Sequence, residues 1–197
     1  MSKKTHILIG ATGSVASIKI PTLLESLLKY ENIEIKVVTT NNALHFFDKN
    51  IVTKELGVEV ITDEDEWKAW NKIPDPVLHI EYRNWADIFI IAPLDANTLG
   101  KIANGLCDNL ITCILRAWDL KRPVIVCPAM NTYMWEHPFT SKHLRVLSDQ
   151  LGFQIISPMS KKLACGDTGI GAMAEVITII DFIVQKLSLN LMVETKI

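Results

Sequence analysis

A chain of 197 residues, 49% apolar and 21% charged, is long enough for one real core and too short for two ordinary domains. That balance excludes a disordered tail, and one domain over residues 1–197 is expected. The formal net charge of −2, with no basic run longer than two residues, excludes the footprint of a nucleic-acid binder.

His6 to Gly10 is a short apolar run of strand length, followed by the turn Gly10-Ala11-Thr12-Gly13-Ser14. A helical pattern through Val15, Ile18, Leu23, Leu24, Leu27 and Leu28 comes next; Pro21 inside it predicts a kink or a late true start. Ile33 to Val38 reads as a second strand. It ends in Thr39-Thr40-Asn41-Asn42 before a short helix through Phe46 and Phe47. The acidic segment Asp63 to Glu66 opens a short helix carrying Trp67 and Trp70, both read as packing residues, and Pro74-Asp75-Pro76 breaks the pattern. Ile88 to Ala92 is a wholly apolar strand stopped by Pro93. Helical material from Asp95 to Trp118 is interrupted near Asn104-Gly105. Pro123 to Val126 and Phe153 to Ile156 supply two further strands, and Ala172 to Leu187 is a closing helix. Continuously apolar strands alternating with helices predict an α/β fold, a doubly wound parallel sheet of flavodoxin-like (Rossmann-type) character in a single domain.

Cysteines at 107, 113, 127 and 165 have neither metal-ligand spacing nor a disulfide framework, and the five histidines are scattered, so no metal site is expected. No apolar run is long enough to span a bilayer, and the N-terminus leads into a strand with no room for a signal peptide. A soluble, cytoplasmic protein without a membrane or nucleic-acid partner is the expectation.

Ligands of open α/β sheets bind just past the carboxyl ends of the strands. There the Gly10–Ser14 turn can hold a phosphate on backbone N–H groups. It lacks the Gly-x-Gly-x-x-Gly spacing, because position 12 is threonine, and Thr39-Thr40 stand where an NAD site places an acid. A nicotinamide cofactor is disfavoured. A mononucleotide held by hydroxyls and amides fits better, with Thr40, Asn42, Asp95, Asn97 and Thr98 at neighbouring strand ends, although each also suits turn or cap duty.

Two segments are more informative. Cys127-Pro128-Ala129-Met130-Asn131-Thr132-Tyr133-Met134-Trp135 follows a buried-type strand, and its lone amide is flanked by two methionines and aromatics. Asn131 has two open roles: a helix N-cap, or an amide donor to a carboxylate. Leu163-Ala164-Cys165-Gly166-Asp167-Thr168-Gly169-Ile170-Gly171-Ala172-Met173 has three glycines in six positions, which reads as a flexible loop or flap with a thiol at its start.

The Pro-Ala-Met-Asn-x-x-Met-Trp string and the Ala-Cys-Gly-Asp flap together resemble the signatures of the flavin-dependent cysteine decarboxylases, and the resemblance covers Gly10 to about Glu175. It implies flavin mononucleotide (FMN) as cofactor, contacted by Gly13, Ser14, Val15, Thr40, Asp95, Ala96, Asn97, Thr98 and Ala129; Asp95 stands where many relatives have serine. It implies a lyase reaction of coenzyme A biosynthesis, taking 4′-phosphopantothenoylcysteine to 4′-phosphopantetheine and carbon dioxide. The substrate contacts implied are Phe46, Asn131, Met134, Ala164 and Cys165. His79, in His-Ile-Glu ahead of Trp-Ala-Asp, matches the catalytic-histidine motif, although a lone histidine between apolar residues otherwise reads as core. In that scheme His79 assists thiol oxidation, Asn131 positions the carboxylate and Cys165 donates a proton to an enethiol. Arg83 is open between a phosphate or carboxylate contact and a solvated surface position. A homotrimer is implied by the family. Its sequence support is modest: Ile102, Leu106, Leu110, Ile111 and Ile114 lie on more than one helical face.

Two other activities of the same superfamily remain alternatives. One is an enzyme acting on a peptide's C-terminal cysteine or prenylating flavin, against which the Ala-Cys-Gly-Asp flap argues in the prenylation case. The other is a non-enzymatic phosphatase regulator, against which His79, Asn131 and Cys165 argue.

Overall fold

The computed structural model describes residues 4–162, 166 and 168–192. Six parallel strands form one sheet: β1 (Thr5–Ala11), β2 (Ile33–Thr39), β3 (Glu59–Thr62), β4 (Ile88–Leu94), β5 (Val124–Pro128) and β6 (Gln154–Ile155). Their order is β3-β2-β1-β4-β5-β6. The doubly wound sheet is the expected fold class; its strand order, which apolar runs do not encode, is the Rossmann-type one. After β3 the chain crosses back to pair β4 with β1, so the topological switch lies between β1 and β4.

Side-chain alternation along each strand explains why both faces are covered. Ile7, Ile9, Ile88 and Ile90 point to a layer holding α1 (Ile20–Leu27), α2 (Lys49–Glu55) and α9 (Val176–Leu187), through Leu23, Leu24, Leu27, Val52, Ile179 and Ile183. Leu8, Phe89 and Ile91 point to the opposite layer, built on α4 (Leu78–Trp85), α5 (Ala96–Ala103) and α6 (Leu110–Arg116). Burying a side chain of this size stabilises by about 1.5–3 kcal/mol. The strongly apolar β1 and β4 therefore hold the centre, and their carboxyl ends are fixed points for a site.

Several local readings are corrected. Val15–Lys19 is a 3-10 segment and the α-helix starts at Ile20 with Pro21 in its first turn, the late start that Pro21 announced. Val15 and Ile18 are consequently exposed, not core. No α-helix runs through Phe46 and Phe47: a short 3-10 turn covers Ala43–His45, and α2 begins after the Asp48 cap. β4 runs past Pro93 to Leu94, with an irregular ladder between Ile91 and Leu94. Trp67 (79% exposed) and Trp70 (49%) do not pack inside, because α3 (Asp63–Ala69) buries none of its residues. The glycine-rich segment contributes to an antiparallel hairpin of β7 (Met159–Lys162) and β8 (Thr168–Ala172), and the closing helix starts later than expected, at Val176. Ile102, Leu110, Ile111 and Ile114 are buried within the protomer, because α5 and α6 pack on each other and on the sheet; of the five residues offered for subunit contact, Leu106 is exposed. Among the described residues no helix is long and apolar enough to cross a membrane.

Candidate functional site

The ends of β1 and β4 are tied together by one side chain. Thr12 Oγ1 donates to Pro93 O (2.9 Å) and accepts from the Asp95 N–H (2.8 Å), which fixes the two turns leaving the central strands. Asp95 caps α5 by accepting the Thr98 N–H at its Oδ1 (2.7 Å), so Ala96, Asn97 and Thr98 form the first turn. Gly13 lies across from it. A Cβ there would come 3.0 Å from Asn42 Cβ and 3.2 Å from Asp95 Oδ2, so the absence of a side chain keeps this channel open. Ser14 caps the 3-10 segment, and Thr40 follows β2, its N–H on Ala11 O (3.0 Å) and its Oγ1 accepting from the Ala43 N–H (3.3 Å). Gly13, Ser14, Val15, Thr40, Asp95, Ala96, Asn97 and Thr98 thus sit on three turns around one crevice. Its donors are hydroxyls and amides, and the Asp95 carboxylate beside them is engaged in capping α5. That set suits a mononucleotide phosphate and the hydroxyls of a ribityl chain, so these residues fit FMN.

One strand over, Ala129 donates its N–H to Leu94 O (2.9 Å), so the Pro128–Asn131 turn begins beside the residue that precedes Asp95. Asn131 is the N-cap of α7 (Thr132–Glu136): its Oδ1 accepts the Tyr133 N–H at 2.8 Å. Capping uses the amide oxygen as an acceptor, whereas a carboxylate contact would use the amide NH2 as a donor, so the two roles call on different atoms. Met134, on the same helix, is 48% exposed. α8 (Pro138–Arg145) anchors that helix through Thr140 Oγ1, which donates to Met134 O. The β7–β8 hairpin lies on the turn, with the Met130 N–H on Gly171 O (2.9 Å). Ala164 and Cys165 lie outside the described residues.

His79 sits in the first turn of α4, with Nδ1 2.6 Å from Glu66 Oε1 on α3. An ionised carboxylate only accepts, so Nδ1 is the donor to Glu66, which in the neutral ring leaves Nε2 as the acceptor. Nearby, burial raises the Asp63 carboxyl despite its bond from the Leu110 N–H, and Glu66 and Asp108 add to the rise. Burial, with Glu66 and other acids adding, pushes the Cys113 thiol up to about 11. Cys127 is wholly buried, which raises its thiol further. Both shifts favour the thiol over the thiolate, so neither cysteine is primed as a nucleophile. Among the described residues no hydrogen bond or ion pair joins His79 to the crevice or to Asn131.

Phe46 is half-buried and lines an open recess with Leu44, His45, Phe47, Asp48 and Lys49, while Phe47 enters the core. Arg83 is half-buried and donates from Nη1 to Asn84 Oδ1 (2.9 Å), so it is not a simply solvated surface group. Sequence reasoning missed Thr12 as the β1–β4 tie and Glu66 as the partner of His79. Thr12 was visible only as the residue that spoils a glycine pattern, and Glu66 as one acid in a run of four.

The switch-point crevice, with its cradle of hydroxyls and amides beside the Asp95 carboxylate, is that of a doubly wound mononucleotide-binding protein. A family model described as Flavoprotein matches residues 1–188, and the chain belongs to that family. It is 57% identical over 173 residues to phosphopantothenoylcysteine decarboxylase of Arabidopsis thaliana, covering 88% of this chain and 80% of the relative. It is 52% identical over 178 residues to the enzyme of that name from Mus musculus, covering 90% and 85%. Among solved structures, it is similar to a cysteine-to-serine mutant of PPC decarboxylase complexed with pantothenoylaminoethenethiol: TM-score 0.89, 53% identity, 94% of this chain and 100% of the other. The FMN binding protein AtHal3 superposes with TM-score 0.85 and 54% identity, covering 94% and 98%.

Proposed function

We propose that this chain, acting as one flavoprotein domain, decarboxylates 4′-phosphopantothenoylcysteine to 4′-phosphopantetheine with FMN, a carboxy-lyase step of coenzyme A biosynthesis. The observation that carries the reading is the Leu94–Ala129 junction, which sets the Asn131 turn one strand from the Gly13–Asp95 cradle. Relatives named for this reaction, and a relative held with an ethenethiol, support it.

Gly13, Ser14, Val15, Thr40, Asp95 to Thr98 and Ala129 hold the cofactor in this account. What bound FMN supplies is an electron-pair acceptor for the substrate thiol and a donor for the enethiol left after carbon dioxide departs, so the overall reaction is redox-neutral. Asn131 donates its amide N–H to the substrate carboxylate and fixes the bond that breaks. His79, oriented by Glu66, takes the thiol proton at Nε2. Cys165 returns a proton to the enethiol carbon. Phe46, Met134 and Ala164 line the path of the substrate.

The protein works in the cytoplasm as a homotrimer in this reading. The exposed apolar side chain of Trp67 (79%), on α3 against the His79 helix, is of the kind a subunit contact would cover. Light scattering tests the assembly. Stripping flavin, adding back FMN, and assaying carbon dioxide and product mass tests the reaction. Restoration by FMN is expected, and turnover without any flavin would sink the reading.

A further inference from the structure

We infer that Thr132, Gly169 and Gly171 are positioning residues: their fitted contact seats the β7–β8 hairpin on the Asn131 turn and so aims the Asn131 amide at the substrate carboxylate. This rests on the decarboxylase reading above and deepens it.

Asn131 is flanked on both sides by hairpin contacts. On one side the Met130 N–H donates to Gly171 O at 2.9 Å. Gly171 has φ +151, a conformation that favours glycine, and a Cβ there would run into the Met130 carbonyl oxygen. On the other side a Cβ on Gly169 would lie 2.7 Å from both Cγ2 and Oγ1 of Thr132. The cap bond from the Tyr133 N–H to Asn131 Oδ1 provides a third constraint. The hairpin therefore reads the backbone at 130 and the side chain at 132, and the residue between them inherits its orientation. Misplacing a recognition group by about 1 Å can cost on the order of 10²-fold in rate, so this contact need move little to matter.

The two glycines differ in a way that makes the inference testable. At Gly171 the obstacle is backbone, which no side-chain change relieves. At Gly169 it is the Thr132 side chain: alanine at 132 would remove the two atoms at 2.7 Å and keep only the Cβ at 3.2 Å, a tight approach that a shift of a few tenths of an ångström relieves. Thr132 Oγ1 is buried without a hydrogen-bond partner among the described residues, so truncating it to alanine breaks no bond and removes a desolvated hydroxyl.

The experiment compares wild type, Gly169→Ala, Gly171→Ala and the double variants carrying Thr132→Ala with each. Three quantities are read: FMN affinity by fluorescence quenching, KM and kcat for 4′-phosphopantothenoylcysteine, and affinity for 4′-phosphopantetheine, which lacks the carboxylate. Gly169→Ala should raise KM about tenfold or more, while FMN and product affinities stay within about threefold of wild type. Adding Thr132→Ala should return KM to within about threefold of wild type for Gly169→Ala and give no recovery for Gly171→Ala. Loss of FMN binding, equal weakening of substrate and product, an unchanged KM, or failure of the rescue would each overturn the inference. A wild-type protein that does not decarboxylate would overturn the functional reading instead.

Discussion

His79 Nδ1 and Glu66 Oε1 lie 2.6 Å apart although the two residues belong to different helices, α4 and α3. Glu66 is the better buried of the two, with its side chain 11% exposed against 30% for His79, so the carboxylate acts as a fixed post for a more accessible imidazole. That arrangement selects one tautomer and stabilises the ring when it takes a proton.

Glu66→Gln keeps the size and removes the charge. We expect kcat to fall roughly tenfold or more, and His79→Asn to fall by about 10²-fold, with FMN binding retained in both. Steady-state kinetics with a flavin titration checks this. Wild-type kcat in Glu66→Gln would reduce the pair to a helix–helix contact.

The helix that carries Glu66 is held by a capping box. Asp65 Oδ2 accepts from the Thr62 N–H (2.8 Å), Thr62 Oγ1 (2.7 Å) and Lys49 Nζ (3.1 Å). Against partial desolvation, these bonds hold its carboxyl below the ordinary 3.8. A depressed folded value means the stabilisation is complete above that ordinary value and is lost as the pH falls through the folded one. Asp65→Asn should therefore lower stability by about 1 kcal/mol at neutral pH and by less in acid. Urea midpoints at neutral pH and below about pH 4 test it; an equal loss at both would contradict the assignment.

Asn131→Asp discriminates cap from carboxylate site. Aspartate caps a helix as well as asparagine, so folding and flavin binding should persist. The new charge opposes the substrate carboxylate in a partly buried site, so turnover should be abolished. Decarboxylation near the wild-type rate would leave Asn131 with its capping role alone.

The sheet was legible because β1, β4 and β5 are apolar on both faces over most of their length, and β2 alternates Ile33, Ile35 and Val37 with Glu34 and Lys36 before Val38. β3 was not, because four residues bounded by Glu59 and Thr62 carry too little pattern. α4 was missed since its amphipathic face is weak and it follows Pro74-Asp75-Pro76. The Asn131 and Gly13 positions were readable because a proline-ended strand and a glycine turn announce strand-end geometry. Glu66 was not, because its partner lies 13 positions away on another helix and a run of acids first suggests a solvated helix start. Trp67 and Trp70 misled for a related reason: an aromatic pair signals burial, and within one protomer α3 gives it nothing to pack against.

The central claim, that this chain removes carbon dioxide from a transiently oxidised cysteine and that Cys165 completes the reaction, is tested most directly with Cys165→Ser mixed anaerobically with 4′-phosphopantothenoylcysteine. A serine hydroxyl is a far weaker acid than a thiol of pKa about 8.5, so proton delivery to the enethiol should fail while the earlier steps proceed. The account predicts release of carbon dioxide, lasting loss of the oxidised-flavin absorbance, and a product lighter than 4′-phosphopantetheine by two hydrogens. A normal yield of 4′-phosphopantetheine, or no carbon dioxide at all, would contradict it.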